Sequence, residues 1–350
     1  MSKGQNRVSV CGHFAFGENL LNGQTVKTKT LTNEMEKILG EGNVHKIDTH
    51  GGKRKIVAVL KELLKAIKNS ENIIVLPAQN GLTVIVPFLV MGNSIYKKRL
   101  HYVVIGGWLP EFLRKRKFLN WCLRKIDYIY VETHSMQREL AKQGFTNVCV
   151  MYNCKSLNII NNSELVYPKE EPYKLCTFSR VMKEKGIEDA INAVSMVNRK
   201  FQRTVFVLDI YGEIENSQLE WFEQLRKEFP DYVKYYGKVS YEESTKILKE
   251  YYAVLFPTYY EGEGFAGTII DAFASGVPII ASDWKYNSEI IRNGENGLIF
   301  PVKKVEQLAE ILINCREQNE RWISMKIKCL AEAQNYLPEN VICKLINNLM

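Results

Sequence analysis

The chain repeats one pattern twice, a short apolar run followed by an amphipathic stretch. "RVSVCG", "VHKID", "NIIVLP", "HYVVIGG", "DYIYVET" and "VCVMYN" read as strands, β-branched and bounded by turn residues. Between them "VKTKTLTNEMEKIL", "KIVAVLKELLKAIKN", "LPEFLRKRKFLNWCLRK" and "MQRELAKQGF" read as helices. The polar stretch "NCKSLNIINNSELVYPKEEPY" interrupts the pattern and is the linker candidate. It then restarts with strands "KLCTF", "TVFVLDIYG", "VKYYG", "AVLFP", "VPIIAS" and "GLIF". Helices "GIEDAINAVSMVNRK", "QLEWFEQLRKEF", "YEESTKILKEY" and "KVEQLAEILINCRE" alternate with these. Such alternation predicts parallel sheets covered on both faces. The fold class is therefore α/β, with two Rossmann-like α/β/α domains facing across a cleft. The first covers 1–155 and is rejoined by a last helix at 338–350, after a proline break; the second covers 156–337. Ligands of such sheets bind beyond the C-terminal strand ends.

Composition narrows the class. Of 350 residues, 46% are hydrophobic and 25% charged, as in a globular protein with a sizeable core. The eight cysteines form no CxxC pair and no Cys/His ligand spacing, which predicts buried free thiols in a reducing cytoplasm and no zinc site. The start lacks the apolar core of a signal peptide, and no stretch reaches membrane-spanning length. The net charge of +8 is uneven, with nine Lys and Arg between Lys97 and Lys125. That patch suits phosphates, of lipid headgroups or of nucleic acid. No nucleic-acid motif accompanies it, which ranks an anionic membrane surface first and predicts no nucleic-acid partner.

Three constellations carry chemistry. In "TYYEGEGFAGTIIDAFASG" a strand ends at Pro257 and a helix begins near Gly267. Gly262, Gly264 and Gly267 leave backbone amides at that helix N-terminus, an anion site that suits a diphosphate. Asp271 follows Gly267 by one turn and Glu263 precedes it in the loop, so two carboxylates flank the site, each able to accept from the hydroxyls of a sugar or ribose. The alternative is a solvated acidic turn capping a helix. In "TFSRVMKEKGIEDAI", Arg180 and Lys185 surround a turn at a strand end, which suits a diphosphate leaving group or else an ordinary surface loop. In "GHFAFGENLLNGQT" a glycine-bearing loop leads to Gly23; it is not G-x-G-x-x-G, so a nicotinamide fingerprint is absent, and His13 reads as a loop histidine.

"TFSRVMKEKGIEDAI", "FVLDIYGE", "VKYYGKVSYEE", "AVLFPTYYEGEGFAGTIIDAFASGVPIIASDWKYNSEII" and "NGENGLIF", in this order, closely resemble the retaining GT-B glycosyltransferases of family 4, of the bacterial polysaccharide-assembly type. The resemblance covers nearly all of the second domain; the first matches in pattern only. It implies that Arg180 and Lys185 hold the donor diphosphate. It makes Glu263 the first acid of a Glu-x7-Glu motif, at the donor sugar, and Asp271 the second, at the ribose. Gly264, Phe265 and Ala266 match the backbone turn over the donor, Glu289 a donor-side glutamate, and Gly23 the loop facing the diphosphate from the first domain. The sequence departs from the family pattern at four places. Asp271 is one methylene shorter than the usual glutamate, Ser179 stands where glycine is common, Cys154 replaces a hinge glycine after Asn153, and Gly106 and Gly107 occupy a region where a histidine often stands.

The resemblance further implies hexose transfer with retention from a nucleotide-sugar, UDP being the commonest. It implies no metal and no cofactor, the cations and helix amides neutralising the leaving diphosphate. The basic, aromatic-bearing segment with Arg114, Lys115, Arg116, Lys117 and Trp121 reads as an amphipathic helix on an anionic leaflet, or as a surface helix packed on the sheet. The first of these readings makes the acceptor a polyprenyl-diphosphate-linked saccharide, in capsule, exopolysaccharide or O-antigen synthesis. It also places the enzyme on the inner face of the cell membrane. A non-catalytic sugar-nucleotide-binding scaffold, a same-fold sugar-nucleotide epimerase and a basic nucleic-acid-binding protein are the alternatives.

Overall fold

The computed structural model describes residues 6–18, 20, 22–240, 242–317 and 319–349. Asn19 and Leu21 of the glycine-bearing loop and Tyr241 of "VKYYGKVSYEE" lie outside the described residues. The chain divides into two units, Met1–Ser156 with Tyr336–Met350, and Leu157–Asn335.

The first unit holds β1 (Asn6–Gly12), β2 (Val44–Asp48), β3 (Ser70–Val75), β4 (Arg99–Val103), β5 (Tyr128–Val131) and β6 (Val148–Val150). They form one parallel sheet in the order β2-β1-β3-β4-β5-β6. The second unit holds β7 (Tyr173–Phe178), β8 (Phe206–Tyr211), β9 (Val233–Gly237), β10 (Ala253–Phe256), β11 (Ile279–Ser282) and β12 (Gly297–Phe300). Their order is β12-β11-β10-β7-β8-β9, again all parallel. Every residue of β10 and β11 is buried, as expected of strands covered on both faces. All twelve strands among the described residues fall on the runs read from the sequence.

Two helical readings need correction. "LPEFLRKRKFLNWCLRK" is not one helix. It forms two short ones, Leu109–Leu113 and Lys117–Leu123. Arg116 takes non-helical backbone angles between them, and its guanidinium donates to the Phe112 carbonyl at 2.7 Å and lies 3.7 Å over the Phe112 ring. The second correction is two helices absent from the sequence reading, Asn319–Ala333 and Gln79–Tyr96, the latter with Pro87 inside it. Its Thr-Val-Ile-Val run and its proline both disfavour a helix locally, and burial of Leu82, Ile85, Val86 and Leu89 outweighs them.

Helix Pro338–Leu349 packs in the first unit, with Val341, Ile342, Leu345 and Ile346 in one core with Val8, Val10 and Leu31. A polar relay pins it to the sheet. Asn72 donates to the Leu349 carbonyl at 3.1 Å, and Asn348 donates to the Tyr130 hydroxyl at 2.9 Å. Buried His101 joins the two, 3.2 Å from both Asn72 Oδ1 and Tyr130 Oη. Asn72 Oδ1 can only accept, so Nε2 carries the proton and Nδ1 accepts from Tyr130. Burial, then Arg99, pushes the His101 pKa from 6.5 down to about 4. A histidine held neutral stabilises the fold fully above pH 6.5, and that contribution is lost as pH falls toward 4. The loss amounts to roughly 3 kcal/mol. Thermal melts between pH 4.5 and 7 should therefore show an acid-side loss of stability that His101→Gln, which hydrogen-bonds without titrating, flattens.

Candidate functional site

Strand order in the second unit reverses between β7 and β10, so the chain leaves these neighbours in opposite directions. That reversal opens a crevice at their C-terminal ends, where open α/β sheets take ligands. Two loops line it, 179–186 after β7 and 257–266 after β10. They are laced together by Tyr259 N, which donates to the Glu184 carbonyl at 2.7 Å, with Thr258 Oγ1 3.2 Å from the same carbonyl oxygen. Gly186 makes the approach possible. Its φ is +73°, and a Cβ there would lie 2.2 Å from the Pro257 carbonyl oxygen. Gly212 does the same at the end of β8, where a Cβ would lie 1.8 Å from the Ser179 carbonyl oxygen.

The structure brings Lys185 and Glu263 together from these two loops. Lys185 Nζ lies 2.6 Å from Glu263 Oε2, with both side chains less than a tenth exposed. Buried Thr258 donates to the same oxygen at 2.9 Å. Tyr260 stands between the cations, its ring 5.1 Å from Lys185 Nζ and 5.6 Å from the Arg180 guanidinium. Arg180 itself is half exposed and pairs with Glu215 at 2.7 Å. The site thus offers one dry, fixed cation and one wet cation.

Gly264, Phe265 and Ala266 form the turn into helix Gly267–Ala274, whose N-cap residue, Ala266, has no side-chain hydrogen-bonding group. Thr268 Oγ1 donates to the Phe178 carbonyl at 2.6 Å and ties that turn to the end of β7. Asp271 lies on this helix, 3% exposed, and accepts from Ser244 Oγ at 3.1 Å. Glu289 lies on the short helix Asn287–Ile290 after β11, partly buried. Gly23 belongs to the first unit, where it opens helix Gly23–Leu39 behind an Asn22 cap that accepts from Thr25 N at 2.9 Å. Arg114, Lys115, Arg116, Lys117 and Trp121 are exposed on the first unit, and Arg114 pairs with Glu111 at 2.7 Å.

Sequence reasoning missed Thr258, Tyr260, Glu215 and Ser244. Thr258 and Tyr260 carried a signal, since both stand between a strand end and the acidic turn. Glu215 and Ser244 carried none, because only folding brings them to Arg180 and Asp271.

The second unit is by its topology a doubly wound α/β domain. Its residues 161–328 match the family described as glycosyl transferases group 1, a match that covers most of this unit. The GtfA subunit of the UDP-N-acetylglucosamine–peptide N-acetylglucosaminyltransferase of Streptococcus gordonii is 28% identical over 238 residues, 62% of this chain and 43% of that one. Glycogen synthase of Mycobacterium tuberculosis is 26% identical over 215 residues, 58% of this chain and 49% of that one. The chain thus spans less than half the length of the streptococcal relative. Among solved structures, Anabaena Alr3699/HepE in complex with UDP superposes with a TM-score of 0.76 at 14% identity, over 98% of this chain and 99% of that one. That likeness establishes the GT-B fold.

The buried pair makes the site's energetics testable. Removing one partner strands a desolvated charge, at a cost of about 3–5 kcal/mol, whereas removing both does not. In urea unfolding, Lys185→Met should be destabilised by that amount, and Lys185→Met/Glu263→Leu should recover much of it.

Proposed function

We propose that the chain is a retaining glycosyltransferase of family 4 that moves a hexose from a UDP-sugar to a saccharide acceptor. The observation that carries this reading is the Lys185–Glu263 pair at the strand-order reversal, beside the N-terminus of helix Gly267–Ala274. The family match and a fold-mate solved with UDP support the donor class.

In this reading Arg180, Lys185 and the amides of Gly264–Ala266 stabilise charge on the departing diphosphate. They do so without a metal. Lys185 is already desolvated and fixed, so it needs little reorganisation as that charge develops. Glu263 uses Oε2 to hold Lys185 and Thr258, and its Oε1 is the oxygen directed to donor hydroxyls. Asp271, oriented by Ser244, takes the ribose, and Glu289 contributes from the donor side. Retention proceeds by front-face attack, with the leaving phosphate accepting the acceptor's proton. The acceptor is a polyprenyl-diphosphate-linked saccharide of capsule, exopolysaccharide or O-antigen assembly, met at an anionic membrane surface. The basic run Arg114–Lys117 supports that location.

Thermal shift against UDP, GDP and ADP tests the donor site. UDP alone, of the three nucleotides, should raise the melting temperature, with the shift surviving EDTA and disappearing in Arg180→Ala. A shift that EDTA abolishes, or none with any nucleotide, would overturn the reading. Sugar-dependent UDP release with a lipid-linked saccharide distinguishes an enzyme from a nucleotide-binding scaffold.

Arg180 must leave Glu215 to reach a diphosphate. A half-exposed ion pair is worth up to about 1 kcal/mol. Glu215→Gln should therefore tighten UDP binding by roughly two- to fivefold in calorimetric titration, with the gain shrinking at high salt.

A further inference from the structure

Helix Gln79–Tyr96 is apolar on two faces. Its inner face buries Leu82, Ile85, Val86 and Leu89, and its outer face exposes Val84, Met91 and Ile95, the last two at 69% and 77%. Its eighteen residues include no Asp, Glu, Lys or Arg, and Lys97, Lys98 and Arg99 follow at once. Gln79, Asn80, Thr83 and Ser94 share the exposed side with Val84, Met91 and Ile95, so the outer face is uncharged and part apolar, where a helix on the outside of a globular unit ordinarily carries charge. Beside it, helix Lys117–Leu123 exposes Phe118 and Trp121, whose rings stack 6.2 Å apart. Between the two helices runs a groove of about 640 Å³ whose walls include Met91, Ser94, Lys97, Lys98, Trp121 and Lys125. Lys125 Nζ lies 5.9 Å from the Trp121 ring.

We infer that this face is a membrane-docking surface in which Met91, Ile95, Phe118 and Trp121 enter the interfacial region while Lys97, Lys98, Lys117 and Lys125 bind anionic headgroups. This deepens the lipid-linked-acceptor reading, on which it rests, and it extends the contact from the run Arg114–Lys117 to the outer face of a helix that the sequence reading did not contain. Charge complementarity selects the occupant. Residues 79–127 hold nine Lys and Arg against two acids, Glu111 and Asp127, a balance of +7. Glu111 is paired with Arg114, and Asp127 accepts from the Leu100 amide at 2.8 Å. A second copy seated on the same face would oppose lysine to lysine. No described helix is long and apolar enough to cross a membrane, so the helix lies in the interface.

Flotation of the full chain with phosphatidylcholine vesicles, with and without phosphatidylglycerol, tests the inference. Binding is expected only to the anionic vesicles and should weaken as salt is raised. Met91→Glu/Ile95→Glu should cut it by more than about tenfold. Lys97→Glu/Lys125→Glu should cut it at least as much, each lysine near an anionic surface being worth roughly fivefold. Both variants should keep the wild-type melting temperature and UDP shift. No flotation, or flotation that the Met91 and Ile95 changes leave intact, overturns the surface. So does a dimer in light scattering that those changes dissociate. Because the UDP shift is read on the same samples, a wild-type chain that shows the shift but does not float removes this inference alone, and a wild-type chain without the shift removes the donor reading instead.

Discussion

The reversal of strand order between β7 and β10 is the constraint on which the site depends. Parallel strands must be joined by crossovers, and at this point the crossovers run to opposite sides. The loops beside it must close against each other without a connecting helix, which is why glycine stands at 186, where any side chain would meet the Pro257 carbonyl. The same closeness lets an ammonium and a carboxylate, 78 positions apart, meet at 2.6 Å away from water.

A buried ion pair is weak evidence of stabilisation, because desolvation offsets the attraction. Its value here lies in placement. Thr258 adds a second donor to the Glu263 oxygen that Lys185 holds, so the carboxylate has one orientation before any ligand arrives. Arg180 contrasts with Lys185 in each respect. It is wet, paired with a carboxylate it can leave, and on the flank of the Tyr260 ring. A site with one fixed and one movable cation can hold a diphosphate firmly and still release it.

The first unit has the same class of sheet with a different surface. Polar groups are spent there on pinning helix Pro338–Leu349 through Asn72, His101 and Tyr130. The outer layer instead carries helix Gln79–Tyr96, with apolar side chains turned both inward and outward. Its Val- and Ile-rich run and Pro87 resemble a strand and a break, and only contact with the sheet beneath makes it helical. The basic segment after it misled in the opposite way. Its continuous amphipathic pattern promised one helix, and the Arg116 guanidinium, folded back on Phe112, divides it in two.

Twelve strands and their parallel pairing were legible because strand periodicity is local and every window of sequence contains it. The acidic glycine turn at Glu263 and the cation loop at Arg180 and Lys185 were legible for the same reason, each lying within a few residues of a strand end. Which of these residues meet was not. That Lys185 binds Glu263 while Arg180 turns to Glu215, and that Asp271 is buried under Ser244, follows from the order of strands in the sheet. Sheet order is a property of contacts between distant segments, and no stretch of the chain short enough to read by pattern contains it.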